Sequence, residues 1–249
     1  MVHSGPVVTL AHVSDLHLDG GSRAAARAHR VVSLLAAAAA DVVLVSGDVA
    51  DHGTPAEYDE ARALLARLPQ PVAVLPGNHD VRAAFRAGLL DEPAGDAEIN
   101  RIVRVPGADL LLCDSTIPGE SAGRLSDRTL AWLDAELAAG DAPAFVCFHH
   151  PPVILHAPLI DPIRQGGADR LAAVLERHPR VAAVLCGHAH TAAATTFAGR
   201  PLLVAPGVAS TIRAAAEPGP EVDLDLPPAV ALHVLDDDGR LVTHYRPVP

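Results

Sequence analysis

Residues 71–80 read PVAVLPGNHD. A short apolar run of strand character stops at a Pro-Gly break, and an amide and an imidazole, Asn78 and His79, follow at once. Neither fills a core well, and a simple turn needs only one such residue, so the rest of the chain has to explain the pair. The same layout recurs. VVTLAHV (7–13) leads to Asp15 and His17, DVVLVSG (41–47) to Asp48, AFVCF (144–148) to His149, and AAVLCG (182–187) to His188 and His190. With ADLLLCD (108–114), these runs are short, rich in Val, Leu and Ala, and bounded by Gly, Pro or Asp, the marks of strands buried on both faces.

Helical stretches lie between the runs, at 22–40, 54–68, 126–140 and 167–179. Thr54, Pro55 and Glu57 form a capping-box signature. Ser126 opens the third stretch as a cap and Gly140 stops it. The segments 195–206 and 229–248 read as hairpins, with Asp238-Gly239 as a two-residue turn. Residues 214–228, rich in Pro and acids, read as a loop. The expectation is an α/β chain whose sheets are covered by helices, with antiparallel strands added at the end.

The chain has 249 residues, with neither an internal repeat nor an obvious linker, so one domain over 1–249 is expected, its segment 212–249 a loop and hairpin. Apolar residues make up 49% and aromatics 3%, so the core must be built from Ala, Val and Leu. A net charge of −11 repels nucleic-acid backbones and anionic lipid, which argues against a nucleic-acid polymer or a membrane surface as partner. The three cysteines end apolar runs without CxxC spacing and read as buried, reduced thiols. No basic region precedes a long apolar stretch at the N-terminus, and no apolar run approaches the ~18 residues of a bilayer span. A soluble cytoplasmic protein is therefore expected.

Each motif alone is weak. DLH reads as a turn, GD as a loop, GNHD as an Asx-type turn, and GHAH as two imidazoles on one side of an extended segment. Five strand ends carrying such groups in order are another matter, because ligand sites of α/β sheets form at the carboxyl ends of strands. Asp15, His17, Asp48, Asn78, His149, His188 and His190 supply imidazole, carboxylate and amide oxygen. That mixture suits Fe, Mn, Zn or Co rather than calcium. Seven donors are too many for one ion and right for two, so one carboxylate must bridge. Asp48, alone on its strand end, is the candidate.

These residues, DLH (15–17), GD (47–48), GNHD (77–80), HH (149–150) and GHAH (187–190), resemble those of the calcineurin-like metallophosphoesterases. The longer text around them, chiefly DSTIPGESAGRLSDRTLAWLDAEL (114–137), is similar to the bacterial class III cyclic-nucleotide phosphodiesterases, over about residues 8–210. The resemblance implies a four-layer αββα sandwich of mixed sheets flanked by helices. It implies one metal held by Asp15, His17, Asp48 and His190, another by Asp48, Asn78, His149 and His188, and His79 as the catalytic, non-ligating histidine. Iron and manganese are the expected metals, with zinc or cobalt as alternatives. The implied reaction is attack of a metal-bridging hydroxide on a cyclic nucleotide such as 3′,5′-cyclic AMP, with His79 assisting the leaving group. The resemblance also implies a homodimer. It fades from about residue 212.

Competing readings keep the chemistry and change the substrate: a glycerophosphodiesterase, a 2′,3′-cyclic nucleotide hydrolase, a broad phosphoesterase. A lipid-sugar pyrophosphatase would want a basic apolar flap, and a non-catalytic scaffold would have lost donors. His150, Asp51 and His52 are expected just behind the ligands, and Asp80 is a candidate to orient His79. Arg82 reads as solvated or as reaching a phosphate. The other histidines, among them His3, His12 and His233, read as fillers.

Overall fold

A computed structural model describes residues 8–249; Val7 and His3 lie outside them. The strands are β1 (Val8–Val13), β2 (Val42–Ser46), β3 (Val72–Leu75), β4 (Arg101–Val105), β5 (Ala108–Leu112), β6 (Ala144–Cys147), β7 (Val181–Cys186), β8 (Ala193–Phe197), β9 (Arg200–Val204), β10 (Thr211–Ile212), β11 (Val222–Asp223), β12 (Ala229–Leu235) and β13 (Leu241–Pro247). The helices are α1 (Ser22–Ala36), α2 (Pro55–Leu65), α3 (Arg82–Phe85), α4 (Asp127–Ala139) and α5 (Ala168–Glu176). β10 and β11 pair in a small two-stranded sheet, and the two large sheets have the orders β13-β12-β1-β2-β3 and β4-β5-β6-β7-β9-β8. Both are mixed: β1-β2-β3 and β5-β6-β7-β9 run parallel, while β12, β13, β4 and β8 add antiparallel edges.

Alternation along the strands builds four layers. Leu10, Leu44 and Leu75 of the first sheet meet Leu110, Phe145 and Leu185 of the second in an apolar seam between the sheets. The opposite faces go to helices. Val13, Val43 and Val45 pack with Val31 and Leu35 of α1 and Leu64 of α2. Leu111, Val146 and Val184 pack with Leu133 of α4 and Leu171 of α5. Every strand in the middle is thus apolar on both faces, which is why its sequence reads as an unbroken run. Cys113, Cys147 and Cys186 are buried free thiols in these seams.

Thr54 and Glu57 close the capping box of α2, and the Ser126 hydroxyl accepts from Thr129 N at the start of α4. Gly140 ends α4 with extended rather than left-handed backbone (φ −110°); a Cβ there would run into the Arg180 guanidinium. The last hairpin corrects the expected two-residue turn. Gly239 N donates to Asp236 O and Asp236 N to Arg240 O, so Asp238-Gly239 lies in a three-residue loop, with Gly239 left-handed (φ 75°). No helix among the described residues is long and apolar enough to cross a membrane.

Candidate metal centre

The five strand ends belong to two sheets rather than one. The loops after β1, β2 and β3 bring Asp15, His17, Asp48, Asn78 and His79, and those after β6 and β7 bring His149, His188 and His190. Backbone hydrogen bonds join the loops: Asp15 N to Gly47 O (3.1 Å), His17 N to Asp48 O (3.0 Å) and Gly187 N to His149 O (3.0 Å). Asp15, His17, Asp48, His188 and His190 all hold positive φ, between 42° and 66°. Left-handed backbone is costly outside glycine, and its concentration here marks a site that the fold holds in place. It also corrects the reading of GHAH. His188 and His190 do not sit on an extended segment, and their rings go to different neighbours.

Asp15, His17, Asp48 and His190 form one group, each offering a donor atom within 4.8 Å of the others. His17 Nε2 is 3.1 Å from His190 Nε2, and His190 Nε2 is 3.4 Å from Asp15 Oδ1. His149 and His188 form the second group, with His188 Nδ1 at 3.3 Å from His149 Nε2. Asp48 faces both: its Oδ2 is 3.5 Å from His17 Nε2 and 3.3 Å from His149 Nε2, while its Oδ1 accepts from His79 N at 2.9 Å.

These residues fit a pair of metal ions. Two ligands each about 2.1 Å from one ion stand roughly 3.0–3.4 Å apart, which is the spacing of both imidazole pairs. Asp15 Oδ1 and Oδ2 and Asn78 Oδ1 are buried without a hydrogen-bond partner, and buried polar atoms are otherwise nearly always satisfied. The imidazoles are also held from behind, as ligating histidines are. His17 Nδ1 is 2.7 Å from Asp51 Oδ1, His149 Nδ1 2.7 Å from Ser46 O, and His190 Nδ1 2.8 Å from Ser210 Oγ. Ser46 and Ser210 escaped the sequence reading because pairing between distant loops leaves no local signal.

Charge in the cluster is divided. Burial pulls His149 down, but Asp48 and Asp15 more than offset it and lift the ring to about 9. Burial raises Asp48, but His149 and His17 hold it well below the usual carboxylate range. Burial and neighbouring His149 push His188 down to about 3.

His79 stands at the mouth, its side chain 41% exposed. Its Nδ1 donates to Asp51 O (2.8 Å), and Asp51 Oδ1 is 3.5 Å away. Asp51, not Asp80, therefore orients it. Asp80 instead accepts from Gly77 N, Val49 N, Ala50 N and the Tyr58 hydroxyl, tying the GD and GN loops together. Burial and then Asp48 raise it to about 6. Gly77 is needed for closeness rather than for a turn: a Cβ there would lie 2.2 Å from Asp48 Oδ1. A cleft of about 530 Å³ opens beside His79, lined by Asn78, Arg82, Thr116, Ile117 and Pro118 among others. Arg82 is not solvated. Its guanidinium is pinned by Asp114 Oδ2 (2.8 Å), Thr116 O (2.9 Å) and Asp96 O (3.0 Å).

Comparison with known proteins gives this geometry its family. The profile of the calcineurin-like phosphoesterases matches residues 8–192. The chain belongs to that family. As a calcineurin-like phosphoesterase whose Asp and His side chains gather into groups able to hold a metal, it is a metal-dependent phosphoester hydrolase. It is 40% identical over 162 residues to the glycerophosphodiester phosphodiesterase GpdQ of Enterobacter lignolyticus, covering 63% of this chain and 58% of that protein. It is 37% identical over 210 residues to a probable cyclic nucleotide phosphodiesterase of Rhodococcus erythropolis, covering 79% of this phosphoesterase and 69% of that protein. In fold it is similar to a dimetal phosphatase from Danio rerio, with a TM-score of 0.73, 19% identity, and coverage of 98% of this chain and 97% of the other.

Proposed function

We propose that the chain is a dinuclear metal-dependent phosphodiesterase whose substrates are cyclic nucleotides, 3′,5′-cyclic AMP among them. Asp15, His17, Asp48 and His190 hold one ion; Asp48, Asn78, His149 and His188 hold the other. The carrying observation is Asp48 Oδ2, 3.5 Å from an imidazole of one group and 3.3 Å from an imidazole of the other. When bound, two ions neutralise phosphoryl charge and make a water acidic enough to serve as nucleophile near neutral pH.

His79 acts on the departing alkoxide. The Asp51 carbonyl can only accept, so Nδ1 keeps its hydrogen and Nε2 is the nitrogen that gives or takes a proton. In the imidazolium form Nε2–H protonates the leaving oxygen, and Asp51 Oδ1 at 3.5 Å supports the positive ring. Burial of the ligand side chains keeps water from the charged groups beneath the substrate, whereas exposed His79 meets the cleft. That cleft, at about 530 Å³, falls within the range of small-ligand sites. Ile117 and Pro118 supply apolar wall for a base or a sugar.

The 40% identity to a glycerophosphodiester phosphodiesterase supports a second substrate reading, a glycerophosphodiester in the same cleft. Turnover of cyclic AMP, glycerophosphodiesters and phosphomonoesters by metal-loaded protein separates the two, with Asn78→Ala as control. Cyclic AMP hydrolysis lost in that control is expected. Hydrolysis of glycerophosphodiesters alone would transfer the function to the second reading. With this function we place a single domain over 1–249, a reducing cytoplasmic setting suited to three free buried thiols, and a homodimer whose mass light scattering would read.

A further inference from the structure

The ion pair beside the cleft has no part in the reaction as proposed. Arg82 stands three residues beyond His79 at the start of α3, and Asp114 follows β5 of the other large sheet. Their side chains are 12% and 0% exposed. Arg82 Nε donates to Asp114 Oδ2 (2.8 Å), one terminal nitrogen to Asp96 O (3.0 Å) and the other to Thr116 O (2.9 Å). Asp114 Oδ2 also accepts from Ile99 N (3.0 Å), while its Oδ1 accepts from Thr116 N (2.9 Å) and from the Thr116 hydroxyl (2.7 Å). The pair thus joins the segment after GNHD to residues 96–99 and to the loop after β5, and Arg82, Asp96 and Thr116 all line the cleft.

Thr116 is held at all three of its polar groups: its carbonyl takes Arg82, and its amide and hydroxyl take Asp114. Ile117 and Pro118, the apolar wall, follow it directly. Between His79 and Arg82 the chain is fixed by Tyr58, whose hydroxyl donates to Asp80 Oδ1 (3.0 Å) and accepts from Val81 N (2.9 Å). One guanidinium therefore sets the distance from His79 to the wall. Its planar fork fixes orientation through three nitrogens, as a single ammonium cannot. A buried ion pair adds little net stability compared with apolar packing. What this one adds is a fixed spacing between segments, of which residues 96–99 and 114–117 lie outside any helix or strand. Each guanidinium nitrogen already serves a protein oxygen, so Arg82 acts through the wall rather than on the phosphate.

We propose that Arg82, paired with Asp114, is a positioning residue for substrate preference. It fixes the wall from Thr116 to Pro118 at its distance from His79, so the cleft selects substrates by the bulk of the group that carries the leaving oxygen. This deepens the function proposed above and rests on its use of the cleft.

The test is titration calorimetry of the metal-loaded whole chain with inorganic phosphate and with 5′-AMP, which adds a nucleoside to the same phosphoryl group. In Arg82→Lys, which keeps the charge and loses the fork, 5′-AMP is expected to bind about tenfold more weakly and phosphate within about twofold of wild type. Steady-state hydrolysis of cyclic AMP should show the change in KM more than in kcat. Asp114→Asn, similar in shape without the charge, is expected to repeat the pattern. Equal losses for the two ligands, or no loss, would overturn the assignment and leave the substrate reading standing. Wild type that binds 5′-AMP no more tightly than phosphate would overturn the cyclic-nucleotide reading and this assignment with it. Partial unfolding lowers the competent fraction and not the ratio of the two affinities, so the ratio decides even where a variant folds poorly.

Discussion

Asp48 divides its carboxylate between two tasks. Oδ1 takes the backbone hydrogen of His79, and Oδ2 lies between the two imidazole groups. His79→Ala removes a side chain that serves neither metal group, so metal content is expected to stay at two equivalents while turnover of alkyl-leaving diesters falls about 10²–10⁴-fold. Aryl-leaving substrates should suffer less, because an aryloxide is stable enough to depart without a proton. Steady-state kinetics on the two classes, with elemental analysis, reads both effects. Gly77→Ala tests the close approach of the loops: a Cβ 2.2 Å from Asp48 Oδ1 must push the carboxylate or the loop aside. Metal loading is expected to drop although residue 77 carries no ligand, and chelator competition measures it. The gathering of the candidate donors was legible in the sequence because each follows a strand and strand ends converge. Asp51's hold on both His17 and His79 was legible only as nearness to Asp48. The Ser46 and Ser210 contacts were not, since they depend on which loops meet.

At the scale of elements, the parallel strands were read from their unbroken apolar runs, and α2 and α4 from their caps. The misses have local causes. β4 (RIVRV) is interrupted by Arg101 and Arg104 and sits on a sheet edge, half exposed, and so lacks the unbroken apolar text of its neighbours. The turn that starts as α3 and continues as a π-helical stretch at Arg86–Leu90 is too short for periodicity to show. The last hairpin bends at Asp238-Gly239 but with a longer loop, because dipeptide preference does not fix loop length. The α2 cap is open to direct measurement. The Thr54 side chain accepts from Glu57 N, and Glu57 also accepts from His52 N and the His52 ring. Thr54→Ala is expected to lower stability by about 1 kcal/mol. A lower urea midpoint at unchanged slope would show it. No change in midpoint would mean that packing of Tyr58, Ala61 and Leu64, not the cap, holds this end.

Across the whole molecule, the seam between the sheets is apolar at its centre and polar towards the metal cluster. His12 Nδ1 meets His233 Nε2 at 3.2 Å, His12 Nε2 meets Ser46 Oγ at 2.8 Å, and His233 Nδ1 meets Thr243 Oγ1 at 2.8 Å. The two rings read as fillers in sequence are thus a buried pair joining β1 to the terminal hairpin. Burial, and then His233, holds His12 well below its ordinary value, and burial holds His233 at about 3. Between pH 6.5 and 3 the unfolded chain binds protons that the folded pair refuses, so stability falls as pH falls through that window. Each ring contributes up to about 1.4 kcal/mol per pH unit. The double variant His12→Leu/His233→Leu should show a shallower acid slope than wild type by up to about two protons, measured by urea unfolding across the range. An unchanged slope would mean that the pair is not neutral when folded. The four layers exist, on this account, to bring loops of two sheets together around one shared carboxylate. The most direct test is the metal stoichiometry of purified, metal-loaded wild type and Asp48→Ala, read by elemental analysis after removal of free metal. The expected result is two equivalents in wild type and loss at both subsites in the variant. Two equivalents retained without Asp48, or fewer than two in wild type under every loading condition, would contradict it.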